Sequence, residues 1–237
     1  MTFKFGLIGV GGRGGHLART MMQDEKKRGD IVALCDINPY MMETYETHVE
    51  KYLGHKVEKK FEDYNELIAD PEVDVVVIGT PDQFHHEMAL AAFEADKHVF
   101  LEKPVGTNLD QMIDIVKAAR KAQKESGCIL EIGYVLRYSP FYEKIKEIVA
   151  NNKIGRINFV QMLEQYYGGA SVFFRNWWRL RKNVGGIMIQ KICHDLDLAY
   201  WLFGKPKSIV AFESNMEFKP GNWDSDAKYC HECENHC

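Results

Sequence analysis

Three stretches of this chain hold groups able to do chemistry, and they lie far apart in sequence. The first is Phe5-Gly6-Leu7-Ile8-Gly9-Val10-Gly11-Gly12-Arg13-Gly14, an apolar run that breaks into glycines. Gly9, Gly11 and Gly14 fit G-x-G-x-x-G, in which the first glycine permits a tight turn, the second lets a pyrophosphate approach backbone N–H groups, and the third packs helix on strand. Phosphate then sits at a helix N-terminus. Asp36 follows the apolar run Ile31-Val32-Ala33-Leu34-Cys35, about twenty residues on, where a ribose-binding carboxylate is expected. A second reading stays open, in which Asp36 caps the helix after Asn38-Pro39. The second stretch is Glu102-Lys103-Pro104, at the end of Lys97-His98-Val99-Phe100-Leu101. Lys103 suits a donor that stabilises a developing alkoxide, or a surface lysine snorkelling beside the turn. The third is Gln190-Lys191-Ile192-Cys193-His194-Asp195-Leu196-Asp197. On a helix, Lys191 and Asp197 lie three positions either side of His194 and share its face, whereas Asp195 points elsewhere. An ammonium nearby keeps the imidazole neutral, so His194 can take a hydroxyl proton; a core histidine satisfied by backbone is the plainer alternative. A base, an alkoxide donor and a dinucleotide site are what hydride transfer from an alcohol requires.

These groups need a scaffold, and the apolar runs supply one. The spacing predicts a strand before Gly9, a helix beginning near His16, a second strand at Ile31–Cys35 and a helix over Tyr40–Leu53. Another helix around Tyr64–Ala69 leads into Val73-Asp74-Val75-Val76-Val77-Ile78, too apolar for anything but a central parallel strand. Gly79-Thr80-Pro81 ends it, a helix over about His85–Ala95 returns the chain to the Lys97–Leu101 strand, and a helix over Leu109–Lys124 precedes a last strand at Ile129–Gly133. In an open parallel sheet, ligands bind outside the carboxyl ends of the strands, so Gly9, Asp36, Thr80 and Lys103 should converge on one crevice. Beyond a boundary near Tyr134 the alternation changes: a helix over Pro140–Asn151, a turn at Lys153-Ile154-Gly155, a half-exposed strand over Ile157–Tyr166, and a helix running from Gln190 to Gly204.

Composition narrows the classes. With 237 residues, 46% of them hydrophobic, the chain can bury one large core or two modest ones. A net charge of −4 and a pI near 6.1 provide no basic footprint for nucleic acid. No apolar run approaches a membrane span and the N-terminal run has no cleavage pattern, so a cytoplasmic protein is expected. Cys35, Cys128 and Cys193 read as small core residues, while Cys230, Cys233 and Cys237 crowd the C-terminus as either a partial thiolate metal site or a reduced tail.

Taken together, the glycine turn, Asp36, Thr80-Pro81 with His85, Glu102-Lys103-Pro104, Arg137-Tyr138-Ser139-Pro140, Gly185-Gly186 and His194-Asp195-Leu196-Asp197 resemble the glucose-fructose oxidoreductase/inositol dehydrogenase/rhizopine-catabolism (Gfo/Idh/MocA) family over nearly the whole chain. The resemblance implies an N-terminal doubly wound Rossmann domain at 1–134, followed by an α+β domain at 135–237 with an open, mostly antiparallel sheet that covers the cleft and joins subunits into a homo-oligomer. That second domain looks short, as in a truncated product. The resemblance also implies NAD as cofactor, with NADP disfavoured by Asp36, and a sugar or polyol substrate oxidised or reduced at a secondary alcohol. Gly9, Gly11, Gly12, Arg13, Gly14, Asp36, Thr80, Pro81, His85, Glu102 and Lys103 would contact the cofactor. Lys103, Arg137, Trp178, Arg179, Gln190, Lys191 and His194 would contact substrate, with Lys103, His194 and Lys191 catalytic and no resident metal. Trp178 and Arg179 sit in an aromatic stripe that could equally be core. Many members carry Asp four residues before the histidine, where this chain has Gln190. NAD-dependent glycoside cleavage through transient oxidation, and a non-catalytic dinucleotide sensor, are the alternative readings.

Overall fold

The structure, a computed structural model, describes residues 2–22, 28–164, 181–212 and 214. Trp178, Arg179, the Cys230/Cys233/Cys237 tail and the Arg13 side chain fall outside them. The order of elements is β1 (Phe3–Ile8), α1 (Gly12–Met22), β2 (Gly29–Cys35), α2 (Pro39–Leu53), β3 (Lys59–Phe61), α3 (Tyr64–Ala69), β4 (Val75–Ile78), α4 (His85–Glu94), β5 (His98–Leu101), α5 (Leu109–Ser126) and β6 (Leu130–Ile132). One sheet holds all six strands in the order β3-β2-β1-β4-β5-β6, every pair parallel. This is the doubly wound order with its switch point between β1 and β4.

Period-2 alternation sorts the core. Leu7, Leu34 and Val77 pack on one face with Ile31, Met42 and Tyr45; Ile8, Val76, Ile78 and Leu101 pack on the other with Met88, Phe93 and Ile115. Because helices cover both faces, β4 is buried at all four positions, which is why its sequence is an unbroken β-branched run. Local chemistry sets the helix ends. The Asn38 side chain caps α2 ahead of Pro39, Asp63 caps α3 and Asn108 caps α5, each accepting a hydrogen bond from a backbone N–H of its helix's first turn. The five strands expected before Tyr134 are present, and β3 is an addition. Three residues, two of them lysines, carry no readable period; Lys59–Phe61 becomes a strand only by pairing with Ala33–Cys35.

After β6 come a 3-10 turn (Val135–Tyr138), α6 (Pro140–Ala150), α7 (Arg181–Val184), α8 (Ile187–Gln190) and α9 (Cys193–Phe203). The strand expected from Ile157 is corrected as far as Glu164: those residues are without ladder pairing, because no described strand lies beside them. The helix expected from Gln190 is also interrupted, with a turn at Lys191-Ile192 separating α8 from α9. Contacts divide the chain into Met1–Phe203 and Gly204–Cys237; in the latter, residues 204–212 are exposed and without helix or strand. Among the described residues no helix is long and apolar enough to cross a membrane.

Candidate active site

Hydrogen bonds align the carboxyl ends of the strands. Gly9 N–H donates to Cys35 O, Gly79 to Ile8 O, Glu102 to Ile78 O and Gly133 to Leu101 O, so the residues following each strand form one continuous edge. The glycine turn lies at its centre. Gly9 has φ of +81°, and Gly14 brings α1 onto the turn so closely that a Cβ there would lie 1.9 Å from Gly9 O. Above Gly12 there is open space, and above Gly11 only the end of Met41 at 3.8 Å. A pyrophosphate fits this cradle, where the first N–H groups of α1 are turned outward. Asp36 closes one side: its Oδ2 accepts from Val10 N–H and its Oδ1 from Asn38 N–H, both at 3.0 Å. The carboxylate is therefore tied to the glycine turn and to the residue ahead of Pro39; the cap of α2 is Asn38, which corrects the reading of Asp36 as the helix cap.

Thr80 and Pro81 are half-buried at the end of β4. His85 and Glu102, expected among cofactor contacts, are not open to a ligand. The His85 ring is fully buried between two backbone carbonyls, and Glu102 is 3% exposed with Oε2 accepting from Lys103 N–H. Both shape the edge from beneath it.

Lys103 leaves this edge and its Nζ donates to the Gln190 carbonyl at 2.9 Å, across a separation of 87 residues. The β5 end and the turn preceding α9 are thus joined. Gly185 makes the neighbouring junction, since a Cβ there would lie 2.1 Å from Thr107 O. His194, in the first turn of α9, sets its ring edge-on to Tyr134 with centroids 6.3 Å apart. Gln190 is buried, 2% exposed, and its Oε1 has no hydrogen-bond partner among the described residues.

Five expectations change here. Lys191 lies in the turn before α9, not on the helix with His194, and its ammonium pairs with Glu164 at 3.0 Å. Asp197 turns to Arg137, which grips it bidentately (Nε–Oδ2 2.7 Å, Nη2–Oδ1 2.5 Å) beneath the rings of Tyr134 and Trp201. Arg137, expected to meet substrate, is thus spent on docking α9. Asp195, expected to face away, shares a hydrogen bond with Glu164. Burial and then Glu164 push the Asp195 pKa up; Glu164, which burial alone would raise, is held low by hydrogen bonds from Asp195 and Lys191. Cys193 is half-buried rather than core, with Sγ 3.6 Å from Gln190 O, and burial pushes its thiol up to about 11 despite Lys103 nearby. Sequence reasoning missed Glu164 and Tyr134. Tyr134 lies just past a strand end, the rule that found Thr80 and Lys103; Glu164 has no such signal.

Residues 3–129 match the model of the GFO/IDH/MocA oxidoreductase family, described by its NAD-binding Rossmann fold. The chain belongs to that family. Its residues 142–235 match the GFO/IDH/MocA C-terminal domain. Inositol 2-dehydrogenase of Salmonella typhimurium is 28% identical over 211 residues, covering 89% of this chain and 57% of that protein. The NAD(+)-dependent scyllo-inositol 2-dehydrogenase of Bacillus subtilis is 33% identical over 148 residues, 62% of this chain and 40% of its own. Among solved structures, scyllo-inositol dehydrogenase from Lactobacillus casei with bound NAD(H) and scyllo-inositol superposes with a TM-score of 0.68 at 25% identity, covering 86% of this chain and 57% of that one. The chain spans about half the length of the curated relatives it matches. As a GFO/IDH/MocA member, it carries its NAD-binding domain at 3–129.

Proposed function

We propose that this chain carries the cofactor and proton-transfer machinery of an NAD-dependent dehydrogenase acting on a secondary alcohol of a cyclitol or sugar. The observation that supports this most is the Lys103 Nζ contact with Gln190 O at 2.9 Å, which brings the strand-end lysine to the turn that opens the His194 helix. NAD held along the glycine turn and Asp36 would supply the hydride acceptor. An ammonium has three N–H donors, so Lys103 can keep its bond to Gln190 and still donate to a substrate oxygen, stabilising the alkoxide. His194 takes the hydroxyl proton, and Glu164 with Asp195 provides carboxyl groups beside it to accept that proton in turn. The inositol dehydrogenases among its relatives and the bound scyllo-inositol of a structural neighbour favour a cyclitol. We assign residues from 135 onward to the substrate domain; its sheet would cover the cleft and join subunits, and the protein would work in the cytoplasm.

A sugar and polyol screen with NAD, followed by nicotinamide absorbance, tests the reading. Lys103→Met and His194→Ala should keep NAD affinity within about threefold while turnover falls roughly a hundred- to ten-thousand-fold. NAD binding with no NADH from any polyol would overturn the dehydrogenase in favour of a sensor; glycoside cleavage without net NADH would move it to the transient-oxidation reading.

A further inference from the structure

One buried titratable group has no part in that mechanism. His85 opens α4 with its ring fully buried, Nδ1 at 2.7 Å from Pro104 O and Nε2 at 3.0 Å from Thr80 O. The two carbonyls belong to neighbouring strand ends. Thr80 follows β4 on the cofactor side, and Pro104 directly follows Lys103. On its other side the Lys103 N–H is held by Glu102 Oε2 at 3.2 Å.

We propose that His85 is the positioning residue for Lys103: by holding the Pro104 carbonyl, it sets the direction in which the lysine leaves the β5 end, and through Thr80 it sets the distance from that lysine to the cofactor wall. Both partners are carbonyl oxygens, which only accept, so a ring nitrogen bonds its carbonyl only through an N–H. The shorter of the two contacts, Nδ1 to Pro104 O, is the one that bears on Lys103. This rests on the reading of Lys103 as the substrate's donor.

The two contacts can be separated. The amide nitrogen of asparagine falls near Nδ1 of histidine and that of glutamine near Nε2, so His85→Asn keeps the bond to Pro104 and His85→Gln keeps the contact with Thr80. Each removes one contact from the same buried place, so a merely structural role would move both variants alike. Misplacement of a catalytic group by about 1 Å costs on the order of a hundredfold. His85→Gln should therefore lose roughly fifty- to a hundredfold in kcat, and His85→Asn about two- to fivefold, with KM and NAD affinity within about threefold in both. In protein labelled with 13Cε lysine, the Lys103 resonance, identified by its loss in Lys103→Arg, should stay in place in His85→Asn and move in His85→Gln. Equal falls in kcat for the two variants, or a Lys103 resonance unmoved in His85→Gln, would overturn the proposal. If the unsubstituted chain turns over no polyol, the dehydrogenase reading fails and the Lys103 resonance alone decides the role of His85.

Discussion

Removing the Asp36 carboxylate should change which dinucleotide this chain prefers, and the structure sets the size of the change. A carboxylate offers roughly four lone-pair sites. Val10 N–H and Asn38 N–H take two of them at 3.0 Å, which fixes the group at the mouth of the glycine turn and leaves the remaining two for a ribose diol. A hydrogen bond to a charged acceptor contributes about 1.5 to 3 kcal/mol; at the lower end, suited to a half-buried edge, losing the diol contacts costs about 1.4 to 2.8 kcal/mol, or roughly ten- to a hundredfold in Kd. A 2′-phosphate would meet the same carboxylate with a charge of about −1.5 to −2. At 4 Å each pair of unit charges repels by about 1 kcal/mol in bulk water and about 4 at an effective dielectric of 20, so NAD should bind at least about thirtyfold more tightly than NADP. Asp36→Ala should bring the two cofactors within about tenfold of each other, chiefly by weakening NAD. Calorimetric titration of both cofactors at one low ionic strength measures this, since salt screens the repulsion. Asp36→Asn, which keeps an acceptor oxygen for the turn, separates cofactor recognition from loop stability. Equal affinity of the unsubstituted chain for NAD and NADP would refute the reasoning.

Arg137→Leu leaves Asp197 largely buried and unpaired; discounted for the part-exposed guanidinium, the cost should be about 2 to 3 kcal/mol, a fall of roughly 4 to 12 °C in Tm by circular dichroism. Adding Asp197→Asn should recover part of the loss, and purely additive effects would show the pair uncoupled. The folded-state pKa of Asp195 lies above its ordinary 3.8, so its penalty is absent where both folded and unfolded chains hold the proton and grows as pH rises through the raised value. Asp195→Asn, which still offers Glu164 a donor, should therefore raise Tm at about pH 7 and leave it unchanged near pH 3. A gain of equal size at both pH values would contradict the linkage.

What could be read from the sequence was whatever local pattern determines. β4 and the glycine turn were legible because run length and backbone crowding act within a few residues. The strand-end rule extended that legibility to Thr80 and Lys103. The partners of Arg137 and Lys191 were not legible for one reason: the charges that pair with them, Asp197 and Glu164, lie 60 and 27 residues away, and no period links such distances. Lys191 was also assigned to a helix face on spacing alone, whereas the turn at Lys191-Ile192 resets the phase before α9. His85 shows the converse. Its type suggested a ligand contact, and only burial between two carbonyls shows it working inside the fold.

The position of β1 between β2 and β4 has a consequence for the chain as it is made. Phe5 pairs with Ile31 on one side and with Val75 on the other. The first strand and its β2 neighbour therefore leave the ribosome well before the partner that completes the middle of the sheet. At about 5 to 20 residues per second, the 44 residues between Ile31 and Val75 take roughly 2 to 9 seconds to synthesise. Over that interval the β1 edge that β4 will cover is unpaired, with Leu7 and Ile8 beside it. The nascent β1-α1-β2 unit is thus the stretch whose open edge is closed only when Val75–Ile78 arrives.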